Sequence, residues 1–319
     1  MLKLLLPLLL LFPGAAFAQA ESYPSRPVTM VVPFPPGSIS DIIGRVVAER
    51  MSKSLGQSVI VENRPGANGG VGAAYVTRAK PDGYLFMMAS NGIISLNKLL
   101  TAQLSYDPAD LAPLALAAEV PAVLVAHRAL PANDLRGLIE FARQKPGGVS
   151  YASGTATAQV AGETLKDMTG ANLLIVPYKG EPPGLTDVVA GQVDVMVLNL
   201  PIAYAQLRAG TVKAIALVGA RKVAAMPEIP LARETVPGYV MPNGWTGFFA
   251  PAGVPAAIRE RLSKEVIAAL NAPDVKQRVE STPGTVLTPE TPAELAARIA
   301  SENETWARLI KALKVKIQQ

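Results

Sequence analysis

Residues 33–41 read Pro33-Phe34-Pro35-Pro36-Gly37-Ser38-Ile39-Ser40-Asp41 and follow directly on the apolar run Val28–Val32. A short apolar run closed by prolines and a glycine predicts a strand, then a stiff loop. Ser38 and Asp41 have the S-x-x-D spacing of a capping box, so a helix starts here. Its apolar residues Ile42, Ile43, Val46, Val47, Met51 and Leu55 recur at helical spacing, and Gly56 is a natural stop. A strand–loop–helix start leaves backbone N–H groups free to meet an anion. An ordinary βα turn is the alternative reading of the same residues.

The same alternation continues along the chain. Runs at 59–61, 84–89, 116–120, 123–126, 149–153, 173–176, 193–198, 212–218 and 245–250 read as strands. Helical patterns lie between most of them, several closed by glycine, as at Gly170, Gly191 and Gly210. Strands alternating with helices predict an α/β fold built on mostly parallel sheets. The stretch 221–243, rich in proline and charge and without periodicity, reads as a return connection. Thr291-Pro292-Ala293-Glu294 is a second capping box and opens a long C-terminal helix.

Composition narrows the compartment and the chemistry. Lys3, the apolar run Leu4–Phe12 and the small-x-small site Ala16-Phe17-Ala18 form a secretory signal peptide, residues 1–18, too short to span a bilayer. A competing cut lies two residues later. There is no cysteine among 319 residues, so an exported fold relies on its core and not on disulfides. Lys and Arg number 30 against 25 Asp and Glu, scattered without runs. That excess suits acidic ligands and shows no nucleic-acid footprint. Catalytic groups are scarce. The one histidine, His127, ends an apolar strand, and no G-x-S-x-G elbow or metal-ligand spacing is present. The glycines of 63–72 do not match a dinucleotide fingerprint. What remains is a set of loops at carboxyl ends of strands: 33–41, 151–159, 176–180 and 198–201. In open α/β sheets ligands bind at that edge.

The order of short motifs is similar, end to end, to the Bug-type solute receptors of tripartite tricarboxylate transporters. They are Y-P-S-R-P-V at 23–28, V-P-F-P-P-G at 32–37, V-E-N-R-P-G-A-N-G at 61–69, P-D-G-Y at 81–84 and Y-A-S at 151–153. A-G-E at 161–163, V-P-Y-K-G at 176–180, G-Q-V-D at 191–194, N-L-P at 199–201 and F-A-P-A-G at 249–253 follow. The resemblance implies a two-lobed periplasmic-binding-protein fold of the Venus-flytrap kind, each lobe a mostly parallel sheet flanked by helices. Lobe 1 would comprise 23–122 plus 245–319, and lobe 2 would comprise 123–244. It implies a monomer without catalytic activity, cofactor or metal that captures a small carboxylate in the periplasm. The partner would be an inner-membrane permease pair, or a sensor protein. An exported enzyme acting on a small acid is the alternative. Carried over, the first-lobe ligand contacts are Phe34, Pro36, Gly37, Ser38, Ile39 and Asp41, with Ser90 and Asn91 nearby. The second-lobe contacts are Ser153, Gly154, Thr155, Thr157, Tyr178, Lys179, Gly180 and Asn199. Gln159 stands where the family often has histidine, Ser38 replaces the second of a usual glycine pair, and the second-lobe loop is about two residues short. These departures predict a pocket reshaped on the second-lobe side. N-terminal sequencing of the exported protein is expected to begin at Gln19; an exported chain still carrying Met1 would overturn the leader reading.

Overall fold

The computed structural model describes residues 23–224 and 226–313, so the leader expected at 1–18 lies outside the described residues. The chain first lays down β1 (Val28–Val32), α1 (Ile39–Leu55), β2 (Val59–Asn63), α2 (Gly70–Thr77) and β3 (Leu85–Ser90). A π-turn at Gly92–Leu96 runs into the short α3 (Asn97–Leu100), and β4 (Leu111–Val120) follows. One residue later the chain is in a different sheet, with β5 (Ala122–His127) and α4 (Leu135–Gln144). Next come β6 (Val149–Ser153), α5 (Ala156–Thr169), β7 (Leu173–Pro177), α6 (Glu181–Val189), β8 (Val195–Asn199), α7 (Leu200–Arg208), β9 (Val212–Leu217) and α8 (Ala232–Thr235). It then returns with β10 (Gly244–Pro251), α9 (Ala256–Asn271), α10 (Pro273–Glu280), β11 (Val286–Glu290) and α11 (Pro292–Leu313).

The first sheet has the order β11-β4-β10-β3-β1-β2 and the second β7-β6-β8-β5-β9. Both are mixed. The parallel pairs are β1–β2, β1–β3, β6–β7 and β6–β8, all built by strand–helix–strand crossovers. The pairs made by β4, β5, β10 and β11 are antiparallel. Alternation alone predicts parallel sheets. A strand that enters after the chain has crossed to the other sheet is free of the crossover rule, and those strands run the opposite way. β11 carries no strand signal in the sequence; its Pro289 is tolerated because β11 is an edge strand.

The crossing is a narrow seam. Gly244 of β10 pairs with Val120 of β4 on one side, and Ala122 of β5 pairs with Asn199 of β8 on the other. Between them the Leu200 N–H donates to the Pro121 carbonyl at 2.9 Å. The return stretch 218–243 is packed, not slack: Met226, Ile229 and Leu231 join one core beside the second sheet, and Val236, Tyr239 and Met241 join the other.

Apolar clusters fill both faces of each sheet. On α1 the expected apolar face is buried at Ile43, Val46, Val47, Met51 and Leu55, whereas Ile42 is 39% exposed. The last helix joins the two halves. Leu295 packs into a core of the first sheet with Trp245 and Phe249, and Trp306 is fully buried in a core of the second. Between them Arg298 pairs with Glu119 at 2.8 Å and with Glu290. Truncating a buried tryptophan removes large apolar area and leaves a cavity, so Trp306→Ala should destabilise the protein by about 3–5 kcal/mol in urea unfolding. Ile42→Ala, on an exposed position, should stay within about 0.5 kcal/mol.

Candidate functional site

A cavity of about 50 Å³ lies over the crossing seam, between the carboxyl ends of strands from both sheets. Its floor is the seam itself, through Val120, Ala122, Asn199 and Gly244. One wall is the start of α1. Ser38 is its N-cap, and the Asp41 N–H donates to Ser38 Oγ at 3.3 Å. The first-turn amides of Ile39 and Ser40 have no helical carbonyl to donate to, and both residues line the cavity. The opposite wall is the start of α5, where Thr155 Oγ1 accepts the Ala158 N–H at 3.1 Å. That leaves the amides of Ala156 and Thr157 in the same condition. Two helix N-termini, with their partial positive charge, thus meet across one small space.

Asn91 stands between these walls. It is 2% exposed, and its Oδ1 accepts from the Gly92 N–H at 3.0 Å and from Thr157 Oγ1 at 3.4 Å. Its Nδ2 has no partner. A buried amide donor left open at a cavity wall is a ready group for a ligand oxygen. Ser40 Oγ and Thr246 Oγ1 lie 3.0 Å apart, and Phe34 and Trp245 supply apolar surface. No lysine or arginine lines the cavity.

The model of the tripartite tricarboxylate transporter family receptor matches residues 43–315, most of this chain and both sheets. The chain belongs to that family. The solved periplasmic binding protein BugD superposes with a TM-score of 0.86 at 32% identity, over 93% of this chain and 100% of that one. Rpa4515 of R. palustris, solved with adipate, gives 0.86 at 32% identity, over 92% and 98%. MatC of Rhodopseudomonas palustris, solved with bound malate, gives 0.85 at 31%, over 90% and 100%.

The receptor places the expected ligand residues in two groups. Phe34, Ser38, Ile39, Ser90, Asn91, Thr155, Thr157 and Asn199 line the cavity together. Pro36, Gly37, Asp41, Ser153, Gly154, Gln159, Tyr178, Lys179 and Gly180 do not. Asp41 is occupied elsewhere: its carboxylate accepts from Gly37 N–H at 3.0 Å, Asn63 Nδ2 at 2.9 Å and Arg45 Nε at 3.1 Å. Burial works to raise its pKa, and the hydrogen bonds from Arg45, Gly37 and Asn63 outweigh it and hold the carboxyl below the usual range. The second half of the expected capping box is therefore displaced by one residue, since the Ser38 N–H goes to the Pro35 carbonyl. Gly37 has φ 81°, a left-handed turn that favours glycine, with open space at its Cβ position. Tyr178 donates its hydroxyl to Asp187 at 2.6 Å, and Lys179 is exposed. Gly154 and Gly180 allow the backbones of two loops to touch: a Cβ on Gly154 would lie 2.6 Å from the Gly180 carbonyl, and one on Gly180 would strike Pro35 across the cleft.

Sequence reasoning missed Ser40, Trp245, Thr246 and Glu181. Glu181 is the one ionisable side chain in the lining and is 4% exposed. Its oxygens accept from Asn199 N–H at 2.8 Å and Asn199 Nδ2 at 3.0 Å. Burial pushes its carboxyl from 4.5 up to about 7, with the Asn199 hydrogen bonds pulling the other way. The folded protein therefore holds this proton more tightly than the unfolded chain does. The contribution to stability is present at acid pH and is lost as pH rises through about 7. Glu181→Gln cannot ionise, so in urea unfolding it should gain on the wild type by roughly 2–3 kcal/mol between pH 5 and pH 8. An unchanged difference across that range would mean that the carboxyl is solvated.

Proposed function

We propose that this receptor is an exported capture protein that closes two lobes over a small carboxylate and delivers it to a tripartite-type inner-membrane permease. The observation that carries the reading is the pair of helix starts, α1 and α5, facing each other with the open Asn91 Nδ2 between them. Main-chain amides and a neutral side-chain donor hold a carboxylate without a counter-charge and release it without breaking an ion pair. The adipate and malate in the solved relatives agree with that ligand class. The lobes are 23–122 plus 245–319 and 123–244, turning about the Pro121 seam and the return stretch. The leader is removed after Ala18, and the captured ligand stays in the periplasm until handover.

The same site supports binding over turnover. His127 sits at the far end of β5, its Nδ1 accepting from the Ala129 N–H at 3.4 Å, and does not line the cavity. Among the described residues no group of three or more His, Cys, Asp or Glu is arranged to hold a metal ion. A thermal-shift panel should show small carboxylates as the main stabilising hits, since binding to the native state alone adds about 2.7 kcal/mol at a hundredfold excess over Kd. Calorimetry with the best acid should show Asn91→Ala weakening binding about tenfold to a hundredfold, the worth of one charge-assisted hydrogen bond of about 1.5–3 kcal/mol. His127→Ala should stay within about threefold. If sugars alone shift the midpoint, or if Asn91→Ala binds at full strength, the carboxylate reading fails.

A further inference from the structure

The cavity lining carries two kinds of polar group. The α1 and α5 starts offer amides, with Asn91 between them. Beside them the lining holds one carboxyl, Glu181 at the start of α6, fixed by Asn199 and without a cation beside it. The elements packed against α6 are β5, β6, β8 and α7. Their ionisable groups are turned to other tasks or stand far along the element. His127 ends β5 at the edge away from the cavity, and Tyr151 of β6 donates its hydroxyl to the Ala158 carbonyl. β8 itself carries none, and Asp194 just before it is paired with Lys145 at 2.6 Å. Tyr204 and Arg208 lie farther along α7, away from its start at the seam. On α6 itself Asp187 is engaged by Tyr178, and Lys179, before the helix, is exposed. None of these adds a charge interaction at the Glu181 carboxyl. Its own helix start adds no donor to the Asn199 N–H and Nδ2: Pro182 and Pro183 follow it in the first turn of α6 and carry no N–H.

We infer that Glu181 is the specificity-determining residue of this cavity and selects a small carboxylate bearing an ammonium group over one bearing a second carboxylate. The inference rests on the carboxylate-capture reading and adds the other end of the ligand. A buried carboxylate without a partner is costly, and a ligand cation supplies the missing partner. A second ligand carboxylate would bring two anions together in one small water-poor space with no cation between them, and one of them must then take up a proton. Each Glu181 oxygen accepts one hydrogen bond from Asn199 and keeps lone pairs free for a donor. The cavity therefore offers a partner to each half of a zwitterion, amides for the carboxylate and Glu181 for the ammonium. In this respect it differs from a site suited to the dianions held by the adipate- and malate-bound relatives.

The test is calorimetric titration of the whole mature protein with two matched sets of acids at pH 8. The first set is 3-aminopropanoate, butanoate and butanedioate, which share one carboxylate and two methylenes and end in ammonium, methyl or carboxylate. The second is 2-aminopropanoate, 2-methylpropanoate and methylpropanedioate, which vary the same group beside the carboxylate. Propylamine serves as the amine without an acid. In at least one set the amino acid should bind tenfold or more tightly than the dianion. Glu181→Gln, checked for folding by circular dichroism, should erase that preference. Amino-acid binding by the wild type should weaken about tenfold from pH 8 to pH 6, as a proton competes for Glu181, and Glu181→Gln should remove this dependence. Tighter binding of the dianions at pH 8, unaltered by Glu181→Gln, would overturn the inference and leave the carboxylate reading standing. Propylamine bound as tightly as the amino acids, and lost in Glu181→Gln, would support the Glu181 assignment and overturn the carboxylate reading. No binding in either set or by propylamine would overturn both. The wild-type rank order decides the matter even if the variant does not fold.

Discussion

The chain leaves its first sheet through a seam one residue wide, and the return stretch 218–243 brings it back to the same point. Val120 pairs with Gly244 on one side of Pro121, and Ala122 pairs with Asn199 on the other. Proline suits this point because it has no N–H to satisfy between two ladders, and its carbonyl is taken by Leu200. The cavity is a consequence of the seam. Two sheets joined edgewise at one point diverge above it, and the βα turns of both open into the gap. Asn199 belongs at once to the seam, to the cavity floor and to the support of Glu181, so the crossing point and the one carboxyl of the lining share one residue.

Much of the fold was legible because it is local. The apolar runs, the N-caps at Ser38 and Thr291, and the glycines that close α1 and α5 lie within a few residues of the structures they specify. Strand direction was not legible, because β4, β5 and β10 take their orientation from partners far along the chain. β11 was not legible either, since five residues containing proline at a sheet edge have neither alternation nor apolar bulk. The stretch 218–243 lacks periodicity because it inserts single side chains, such as Tyr239 and Met226, into two different cores.

The site divides along the same line. The loops after β1 and β6 were legible as strand ends meeting helix starts, Asn91 came from the family resemblance, and Ser38, Asn91, Thr155 and Thr157 do meet at the cavity. Asp41 misled because a capping-box carboxylate and a ligand-facing one share a sequence pattern; what separates them is the pull of Asn63 and Arg45. Glu181 follows the loop 176–180 and drew no role from the sequence. Its burial depends on Asn199, which reaches it from the next βα unit, and nothing local announces that. Trp245 and Thr246 come from a strand that returns to the first sheet only after the whole second sheet has formed.

The last helix ties the cores of the two sheets together. Leu295 is seated in the core of one sheet and Trp306 in the core of the other, with Arg298 tied to Glu119 between them and Glu302 accepting the Trp245 indole N–H at 2.7 Å. A rotation about the seam that widens the cleft must bend this rod or draw one of its two anchors out of close packing. The proposed closure would therefore be limited at the open end by the bending of this rod and the exposure of its anchors, and at the closed end by the Gly180 backbone meeting the Pro35 ring.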